Sequence, residues 1–420
     1  MLLNILLTTI FVFAGESAIS ACPNIDDSLY EYQTAPGWSA VKIATGLHSP
    51  RDLIFDGQGR LLVVQKGLGI SQHSIDANGC ITASKMLISL PDLNHGIYID
   101  GQFLFASSAT SVFSWNYDAN TGGVSQNPTT IISGMATSGH TTRTLIVAPH
   151  HPELLVVSHG SNANIDNDSG DPRTARAVVK VFNMSTIPPG GYNYVSQGWN
   201  AGYGLRNEVG LAFDGNNMLW GVENSADNLV RIVDGATTDV HKDNPSEELN
   251  FIGDITSAAD RWYGYPVCFT VGDPSVFPNQ GFQVGQQFMQ TPTEYFNDST
   301  CAQISIPPIL NFEAHSAPLD CKFDASFGNL FVTMHGSWDR DPPTGYKVVA
   351  VPFTKHAEGY YAPIFAPWST QNSIEVFYPP DESQCSSSSC IRPVGLAFDA
   401  KSRLFVSSDT SGEIYMLSTG

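Results

Sequence analysis

Basic residues are scarce in this chain: its 420 residues include only 20 Lys and Arg against 40 Asp and Glu, a formal net charge of -20 at pH 7. Such an acidic protein is a poor match for a nucleic-acid backbone or an anionic membrane, and we expect neither as a partner. Long hydrophobic runs are also missing after the N-terminus, because no later segment reaches the ~18 apolar residues of a membrane-spanning helix. The few basic residues are therefore informative wherever they cluster.

Residues 1–21 have the pattern of a secretory signal peptide. An apolar stretch from Leu2 to Ala14 is followed by small residues, although no Lys or Arg precedes it. Cleavage is expected near Ser20 or Ala21. We therefore expect a secreted, extracellular protein, and we expect it to be a monomer.

Seven cysteines suit the oxidising compartment that a secreted protein enters. We pair Cys385 with Cys390 because they are close together in the sequence. The other pairs, Cys22 with Cys80 and Cys268 with Cys301, are assigned without such support, and they leave Cys321 free. Three sequons, at Asn167, Asn183 and Asn297, agree with glycosylation of a secreted protein.

Self-similarity is the strongest internal signal. An apolar strand, a turn and a second apolar strand recur in six places: "RDLIFDGQGRLLVVQ" (51–65), "HGIYIDGQFLFASS" (95–108), "RTLIVAPHHPELLVVSHG" (143–160), "VGLAFDGNNMLWGVEN" (209–224), "LDCKFDASFGNLFVTMHG" (319–336) and "VGLAFDAKSRLFVSSD" (394–409). Each hairpin is followed by a possible third strand, such as "AVVKVF" (177–182). This repetition predicts an all-β, six-bladed β-propeller, with a generic β-sandwich or barrel as the alternative.

A long stretch separates the fourth hairpin from the fifth. It contains several Gly and Pro turns, and it is either a large insertion (233–318) or a degenerate seventh blade. We favour six blades with the insertion between the fourth and fifth repeat units. Residues 22–420 would then form a single propeller domain.

In a propeller, the residues just before each first strand converge on one opening of the central channel. Every unit has a basic residue or an imidazole there: Arg51, His95, His140 with Arg143, Arg206 with Asn207, His315 and Arg392. The second strands end in polar residues: Gln65, Ser107, His159, Glu223 with Asn224, His335, and Ser408 with Asp409. Both sets should meet at one mouth, because the two ends of a hairpin lie side by side. Since guanidinium groups bind carboxylates through paired hydrogen bonds, the mouth suits a compact, planar polyanion.

Two further segments are assigned to this mouth. The segment "ENSADN" (223–228) offers oxygen ligands to a hard cation such as calcium, with an Asx-type turn as the alternative. The segment "HGSWDRDPPTGYKVV" (335–349) places His335, Trp338 and Arg340 at the end of a strand. Lys347, in the same segment, either reaches the pocket or faces solvent. A salt bridge is the simpler role for any single Arg, but the recurrence in all units favours a binding site.

The chain resembles the soluble glucose/sorbosone dehydrogenases in five segments: "GHTTRTLIVAP" (139–149), "GYGLRNEVGLAFD" (202–214), "HSAPLDCKFD" (315–324), "HGSWDRDPPTGYKVVAV" (335–351) and "CIRPVGLAFD" (390–399). These enzymes are six-bladed propellers that bind pyrroloquinoline quinone (PQQ) and calcium. The fungal secreted pyranose dehydrogenases, of the auxiliary activity family 12 type, look most similar. The resemblance runs from about Pro50 to Leu417.

The resemblance implies a role for each matching residue. His140 would be the catalytic base, Arg206 would stabilise charge on the quinone, and the backbone carbonyls of Ser225 and Ala226 would ligate calcium. Together with the mouth analysis, it gives the expected cofactor-binding set: Arg51, Arg143, Arg206, Asn207, His335, Trp338, Arg340 and Arg392. Arg392 would bind a PQQ carboxylate, and Trp338 or an Arg would cover the ring face.

The implied reaction is oxidation of an aldose or ketoaldose at its anomeric carbon. His140 would take the hydroxyl proton while the hydride passes to PQQ, next to a calcium ion that polarises the quinone. The electrons would pass to an external acceptor, for example a copper polysaccharide monooxygenase. Two other classes stay open: a calcium-dependent lactonase or esterase propeller, with Glu223, Asn224 and Asp409 as candidate ligands, and a non-catalytic binding propeller.

Overall fold

A computed structural model describes residues 21–277 and 280–419 of the chain. The expected signal peptide, apart from its last residue, lies outside the described residues. Six mostly antiparallel sheets form the blades of a β-propeller, which confirms the predicted fold. Within the described residues, no helix is both long and apolar enough to cross a membrane. Two strands near the N-terminus, β1 (Gln33–Thr34) and β2 (Trp38–Ala44), join the last two blades.

The first three blades follow in chain order. Blade 1 contains β3 (Pro50–Phe55), β4 (Arg60–Gln65), β5 (Gly69–Ile75) and β6 (Ile81–Ser89). Blade 2 contains β7 (Leu93–Asp100), β8 (Phe103–Ser108), β9 (Val112–Asp118), β10 (Gly123–Val124) and β11 (Thr129–Ser133). Blade 3 contains β12 (Leu145–Ala148), β13 (His151–His159), β14 (Val178–Asn183) and β16 (Trp199–Tyr203), while the intervening β15 (Tyr192–Asn193) pairs with β11 of blade 2.

Blade 4 carries the insertion. Its strands are β17 (Glu208–Phe213), β18 (Leu219–Glu223), β21 (Glu247–Gly253) and β24 (Leu310–Phe312). The insertion enters before β21 and again before β24, and it contains β19 (Val230–Val233), β20 (Ala236–Asp239), β22 (Cys268–Thr270), β23 (Gln287–Met289) and the helix α1 (Asp298–Ile304). It therefore lies between the fourth and fifth hairpins, as predicted, and extends the outer half of blade 4.

Strands from both ends of the chain close the ring. Blade 5 contains β25 (Pro318–Phe323), β26 (Asn329–Met334), β27 (Lys347–Lys355), β28 (Tyr361–Pro363), β29 (Ile374–Tyr378) and β1. Blade 6 contains β30 (Pro393–Phe398), β31 (Leu404–Ser408), β32 (Glu413–Thr419) and β2. Short 3-10 helices lie at Asn167–Gly170, Pro172–Thr174, Met184–Thr186, His241–Asp243, Pro274–Val276 and Glu382–Gln384.

One aspartate builds the hairpin turn in each of four blades. The residues are Asp56, Asp214, Asp324 and Asp399, and each follows a Phe in the sequence. Each carboxylate accepts hydrogen bonds from the backbone N–H groups two and four residues later. Because this Asx-type arrangement fixes a tight turn between two strands, the repeated "FD" is a physical turn signal.

Polar side chains alternate with glycines where the six first strands converge. Asp52, Thr144 and Asp320 occupy this level in blades 1, 3 and 5, and each bonds the first strand of the next blade. Blades 2, 4 and 6 have glycine at the same level. A Cβ there would meet neighbouring backbone; on Gly395, for example, it would lie 2.5 Å from the Arg51 carbonyl oxygen. The alternation lets the strands pack closely below the mouth.

All three cysteine pairs assigned from the sequence form disulfides. They join Cys22 to Cys80, Cys268 to Cys301 and Cys385 to Cys390. Cys321 is free and buried in β25, as expected. The second pair fastens α1 to the β22–β23 sheet, so it holds the insertion together.

Candidate active site

The mouth of the channel lies where the first strands begin and the second strands end. The strand register places Glu208 opposite Glu223 in blade 4 and Pro393 opposite Ser408 in blade 6. The sequence argument that both residue sets meet on one face is therefore confirmed for these blades. Several of the selected side chains also contact each other across blade boundaries.

His140 is held neutral, with its proton on one defined ring nitrogen. Its Nδ1 lies 3.1 Å from the Ser161 carbonyl oxygen and 3.0 Å from Ser161 Oγ. A carbonyl oxygen only accepts, so Nδ1 carries the proton and Nε2 keeps a free lone pair. Burial, together with the positive charge of Arg206, lowers the pKa of His140 to about 4. The imidazole is therefore unprotonated at neutral pH.

Gly160 allows Asn207 to approach the loop that carries His140. A Cβ at Gly160 would lie 2.5 Å from Asn207 Oδ1 and 2.7 Å from His140 Cβ, so any other residue would separate them. Asn207 also accepts the Asn224 N–H at its backbone oxygen, at 3.0 Å. The Asn207 amide and His140 therefore both pack against Gly160.

Arg206 is buried, and all of its N–H groups are committed. Nε donates to the Asn164 carbonyl at 3.0 Å, and Nη2 donates to Asn164 Oδ1 at 2.8 Å and to Asp227 Oδ2 at 3.0 Å. Nη1 donates to the carbonyl oxygens of Asn224 and Ser225. Arg206 therefore fixes the segment 224–227 and contributes positive charge near His140.

The segment expected to ligate calcium is rich in oxygen. The Ser225 N–H donates to Glu247 Oε2 at 2.6 Å. The Ser225 carbonyl oxygen accepts a hydrogen bond from Arg206 Nη1. Ala226 is fully buried. Next to it, Asp227 forms a close group with His315 and Asp339, the one cluster of three such ligating side chains found among the described residues.

Asp227, Asp339 and Glu247 were not singled out by the sequence argument. For Asp227 and Asp339 the signal was the acidic character of "ENSADN" and of the segment after His335, which only the folded chain brings together, whereas Glu247 lies outside both segments. His315 Nε2 donates to the His241 carbonyl, and His315 Nδ1 lies 3.5 Å from Asp227 Oδ1. Burial alone would lower the pKa of His315, but Asp227 and Glu247 raise it above its ordinary value.

A second group links three blades across the mouth. Arg51 Nη1 donates to Asp409 Oδ2 at 2.7 Å, and His335 Nε2 contacts Asp409 Oδ1 at 2.9 Å. Arg392 Nη2 lies 2.9 Å from His335 Nδ1, and its Nε donates to the His335 carbonyl at 3.0 Å. We call this chain Arg51–Asp409–His335–Arg392 the arginine bridge.

The arginine bridge keeps one positive charge in excess. Burial opposes ionisation of Asp409, but His335 and Arg51 hold its pKa well below the usual range. Burial lowers the pKa of His335, so the imidazole is neutral and the two guanidinium groups outnumber one carboxylate. Within the described residues, Arg51 Nη2, Arg51 Nε and Arg392 Nη1 have no hydrogen-bond partner. These free donors suit an anion.

Arg143 was expected to bind the cofactor, but its guanidinium is already used inside the protein. The residue is fully buried, and its guanidinium donates to the backbone carbonyls of Ala109, His140, Thr142 and Ala136. Its donors are therefore used to shape the loop that carries His140. Arg143 is a positioning residue, which residue type alone could not reveal.

Arg340 was also expected to bind the cofactor, but its guanidinium pairs with carboxylates. It pairs with Asp243 at 2.8 Å and with Glu313 at 3.2 Å, under the insertion, so its charge is neutralised away from the arginine bridge. Trp338 is 71% exposed. Its proposed position over a ring face stays a prediction. Lys347 does not face solvent; it lies 2.8 Å from Glu375 and 3.1 Å from Glu382.

Comparison with known proteins gives one consistent family. The sequence profile described as TrAA12-like matches residues 32–420. A Coprinopsis cinerea protein named "Pyrroloquinoline quinone-dependent pyranose dehydrogenase" is 38% identical over 411 residues, which cover 96% of this chain and 56% of that protein. The chain therefore spans about half the length of this relative.

Two further comparisons cover their counterparts almost completely. A Hypocrea jecorina protein named "Pyrroloquinoline quinone-dependent sugar dehydrogenase" is 36% identical over 433 residues, covering 98% of this chain and 96% of that protein. The solved structure of the holo form of the pyranose dehydrogenase PQQ domain from Coprinopsis cinerea superposes with a TM-score of 0.92 at 38% identity. That match covers 95% of this chain and 99% of the solved one.

Proposed function

The chain belongs to the TrAA12-like family, and we propose on this basis that it is a PQQ- and calcium-dependent dehydrogenase that oxidises the anomeric carbon of a pyranose sugar. The observation that carries the proposal is the pairing of a neutral histidine base with free guanidinium donors at one mouth. The relatives named above are described as PQQ-dependent pyranose or sugar dehydrogenases, which supports the same activity.

The mouth fits a flat tricarboxylate such as PQQ. The unpaired N–H groups of Arg51 and Arg392 lie on adjacent blades, and buried guanidinium groups bind carboxylates strongly. The Arg51 Nε has no partner within the described part of the chain although it is buried, which is costly unless a ligand accepts from it. Asn207, His335 and the exposed Trp338 complete the proposed cofactor set.

The donor set of 225–227 fits calcium. This ion prefers carbonyl and carboxylate oxygens, and the Ser225 and Ala226 carbonyls precede the carboxylate of Asp227 in the chain. We assign the two carbonyls to the ion. Glu247 holds the segment through the Ser225 N–H, and the Ser225 carbonyl oxygen, which accepts from Arg206 Nη1, keeps its second lone pair for the ion.

His140 would accept the proton of the sugar's anomeric hydroxyl at Nε2. The bonds from Nδ1 to Ser161 orient the ring, and its depressed pKa keeps it unprotonated. Bound PQQ would supply the hydride acceptor for C1, so that loss of one proton and one hydride gives the lactone. Arg206 contributes fixed positive charge beside the reacting atoms, which favours the negative charge that develops there.

We further propose that residues 22–420 act as one catalytic domain of a secreted, monomeric protein. Its electrons would pass to an external acceptor, for example a copper polysaccharide monooxygenase. The paired cysteines agree with an extracellular location.

A lactonase-type metal site fits less well. Two of the three candidate ligands have engaged oxygens: Glu223 Oε1 accepts the Arg206 N–H, and Asp409 pairs with Arg51. The third, Asn224, donates from Nδ2 to the Pro318 carbonyl, which does not use its own oxygen. A central ion would need their oxygens free and convergent.

His140→Ala tests the proposed base. The variant should bind PQQ with an affinity within about twofold of the parent protein, while kcat for an aldose with a dye acceptor falls by roughly 10²–10⁴. His150→Ala is the matched control, because His150 is exposed on the hairpin turn at the far end of the same blade. Unchanged turnover in His140→Ala would remove this residue from the base role.

A further inference from the structure

A cavity of about 650 Å³ lies between blades 4 and 5, under the insertion. Its walls come from β24, the start of β27, the segment 369–373 and insertion residues including Asp243 and Asp273. We propose that this cavity is a saccharide-binding site, separate from the mouth, which takes part of a neutral oligosaccharide. The inference does not depend on the proposed oxidation chemistry.

The cavity wall offers hydrogen-bond donors and acceptors in pairs. Arg340 contacts Glu313 at 3.2 Å, and Lys347 contacts Glu375 at 2.8 Å. The carboxylates are only half covered, since the side chains of Glu313 and Glu375 are 44% and 48% exposed. Sugar hydroxyls both donate and accept, so they can bond to such pairs without breaking them.

Amide side chains hold the part of the cavity wall that the segment 369–373 forms. Asn311 Nδ2 donates to the Pro367 carbonyl at 2.6 Å, and Asn372 Nδ2 donates to the Asn311 carbonyl at 2.7 Å. These bonds attach the segment 369–373 to the outer strand of blade 4. The wall is therefore built by specific contacts between two blades.

An exposed indole comes directly before this wall in the chain. Trp368, 68% exposed, directly precedes the segment 369–373, and Ile374, 48% exposed, directly follows it. Trp368 is not itself part of the lining, but a large aromatic side chain left in water directly before a polar wall suits a ligand with both polar and C–H surfaces. A pyranose ring presents both.

The charge of the lining selects against other ligands. Asp243, Asp273, Glu313 and Glu375 outnumber Arg340 and Lys347, so an anion such as a phosphorylated sugar would be repelled. Both cations are already paired with carboxylates. A neutral saccharide remains favoured, and a polyamine is the competing class.

At two places a residue that lines the cavity is directly bonded in the chain to a residue of the candidate active site. Ser316 and Arg340 line the cavity, and their neighbours His315 and Asp339 belong to the cluster around Asp227. Both sites therefore occupy the same face. Saccharide bound in the cavity would hold the protein on its glycan with the mouth nearby.

Calorimetric titration of cofactor-free protein tests the site, with cellotetraose and maltotetraose as probes. At least one probe should bind, and Trp368→Ala should weaken that binding by about tenfold. Tyr295→Ala, at an aromatic residue 88% exposed elsewhere on the insertion, should leave the affinity unchanged. Glu375→Ala should also weaken binding, through a second wall of the cavity.

Monosaccharide turnover by the PQQ-loaded protein should be unchanged in Trp368→Ala, which separates this site from the oxidation site. Failure of the parent protein to bind either probe, or equal binding by Trp368→Ala, would overturn the proposal. Tighter binding of spermidine than of either oligosaccharide, lost at high salt, would also overturn it in favour of a polyamine site. None of these binding outcomes depends on whether the protein oxidises sugars.

Discussion

Two imidazoles at the mouth carry their single proton on different nitrogens because their neighbours differ. His140 Nδ1 faces a carbonyl oxygen and must donate, which frees Nε2 as a base. His335 Nδ1 faces the Arg392 guanidinium and must accept, so its proton lies on Nε2, toward Asp409. The two residues therefore have distinct chemistry: His140 can take a proton from a substrate, whereas His335 connects two charged groups.

The pH profile should report the depressed pKa of His140. Because this pKa is about 4, the imidazole stays a base well below the usual range of histidine. The acid limb of kcat/KM for a sugar should therefore be centred near pH 4, with a plateau at neutral pH. Steady-state rates with a pH-independent acceptor would measure it. A limb centred near the ordinary histidine value would contradict the buried, Ser161-bound geometry.

Arg392→Ala and Arg143→Ala should affect different properties. Loss of Arg392 removes a free donor at the mouth, so PQQ affinity should fall by about tenfold or more. Loss of the fully buried Arg143 leaves four partly buried backbone carbonyls without their donor, so the free energy of unfolding should fall by roughly 2–4 kcal/mol. PQQ titration and urea unfolding of both variants would test this. Weaker PQQ binding by Arg143→Ala at unchanged stability would contradict the positioning role.

At this scale the sequence predicted which residue types gather at the mouth but not what each side chain contacts. His140, Arg51 and Arg392 were selected because basic residues are rare and recur at one position of each unit. Arg143 satisfied the same rule and Arg340 was selected from the segment 335–349, yet their guanidinium groups bind loop carbonyls and insertion carboxylates. Such partners are distant in sequence, so only the folded chain identifies them.

The element that deviates most from a regular blade is blade 4, where three glutamates lie side by side. Glu208, Glu223 and Glu248 occupy neighbouring strands, and Asn250 Nδ2 donates to a carboxylate oxygen of each, at 3.3, 3.1 and 3.3 Å. Burial raises the pKa of Glu248 to about 7 and raises those of Glu208 and Glu223 well above the ordinary value. Blade 4 thus holds buried carboxylic acids beneath Arg206.

Glu248→Gln should change how stability depends on pH. The folded pKa lies above the unfolded one, so as pH rises from 4.5 to 7 the unfolded state releases this proton first and the parent protein loses stability. The variant lacks this titration, so its stability relative to the parent should rise by roughly 1–3 kcal/mol across that window. Urea unfolding at several pH values would measure it, with the exposed Glu358→Gln as control. A constant difference between parent and variant would contradict a buried, protonated Glu248.

Hairpins were the elements that the sequence predicted best. All six pairs of inner strands match the six repeated segments, because alternating apolar residues and, in four of the blades, "FD" turns act locally. The insertion was located but its internal structure was not predicted. Its strands are only three or four residues long, and they depend on the Cys268–Cys301 disulfide and on packing around Phe288, which no local pattern announces.

The whole molecule depends on closure between the two ends of the chain. β2 pairs with β32, with Ala40 opposite Leu417, and Ile43 of β2 is fully buried in the core between blades 6 and 1. Ile43→Ala should therefore lower the free energy of unfolding by about 2–4 kcal/mol. Ser39→Ala, at a half-buried position in the same strand, should cost less than about 1 kcal/mol.

Equilibrium unfolding in urea distinguishes these two closure variants. The expected result is a lower midpoint for Ile43→Ala only, with a single transition, because opening of blade 6 exposes its neighbours on both sides. A large loss in both variants, or in neither, would contradict closure by the buried face of β2.

The central claim is that the mouth binds one PQQ and transfers electrons to it from a sugar. Anaerobic spectrophotometric titration of the purified protein with PQQ and calcium, followed by addition of an aldose, tests it most directly. The account predicts saturation at one PQQ per chain and then a change of the bound cofactor to its reduced spectrum, in the absence of any other acceptor. No uptake of PQQ, or a bound cofactor whose spectrum no pyranose alters, would contradict the account.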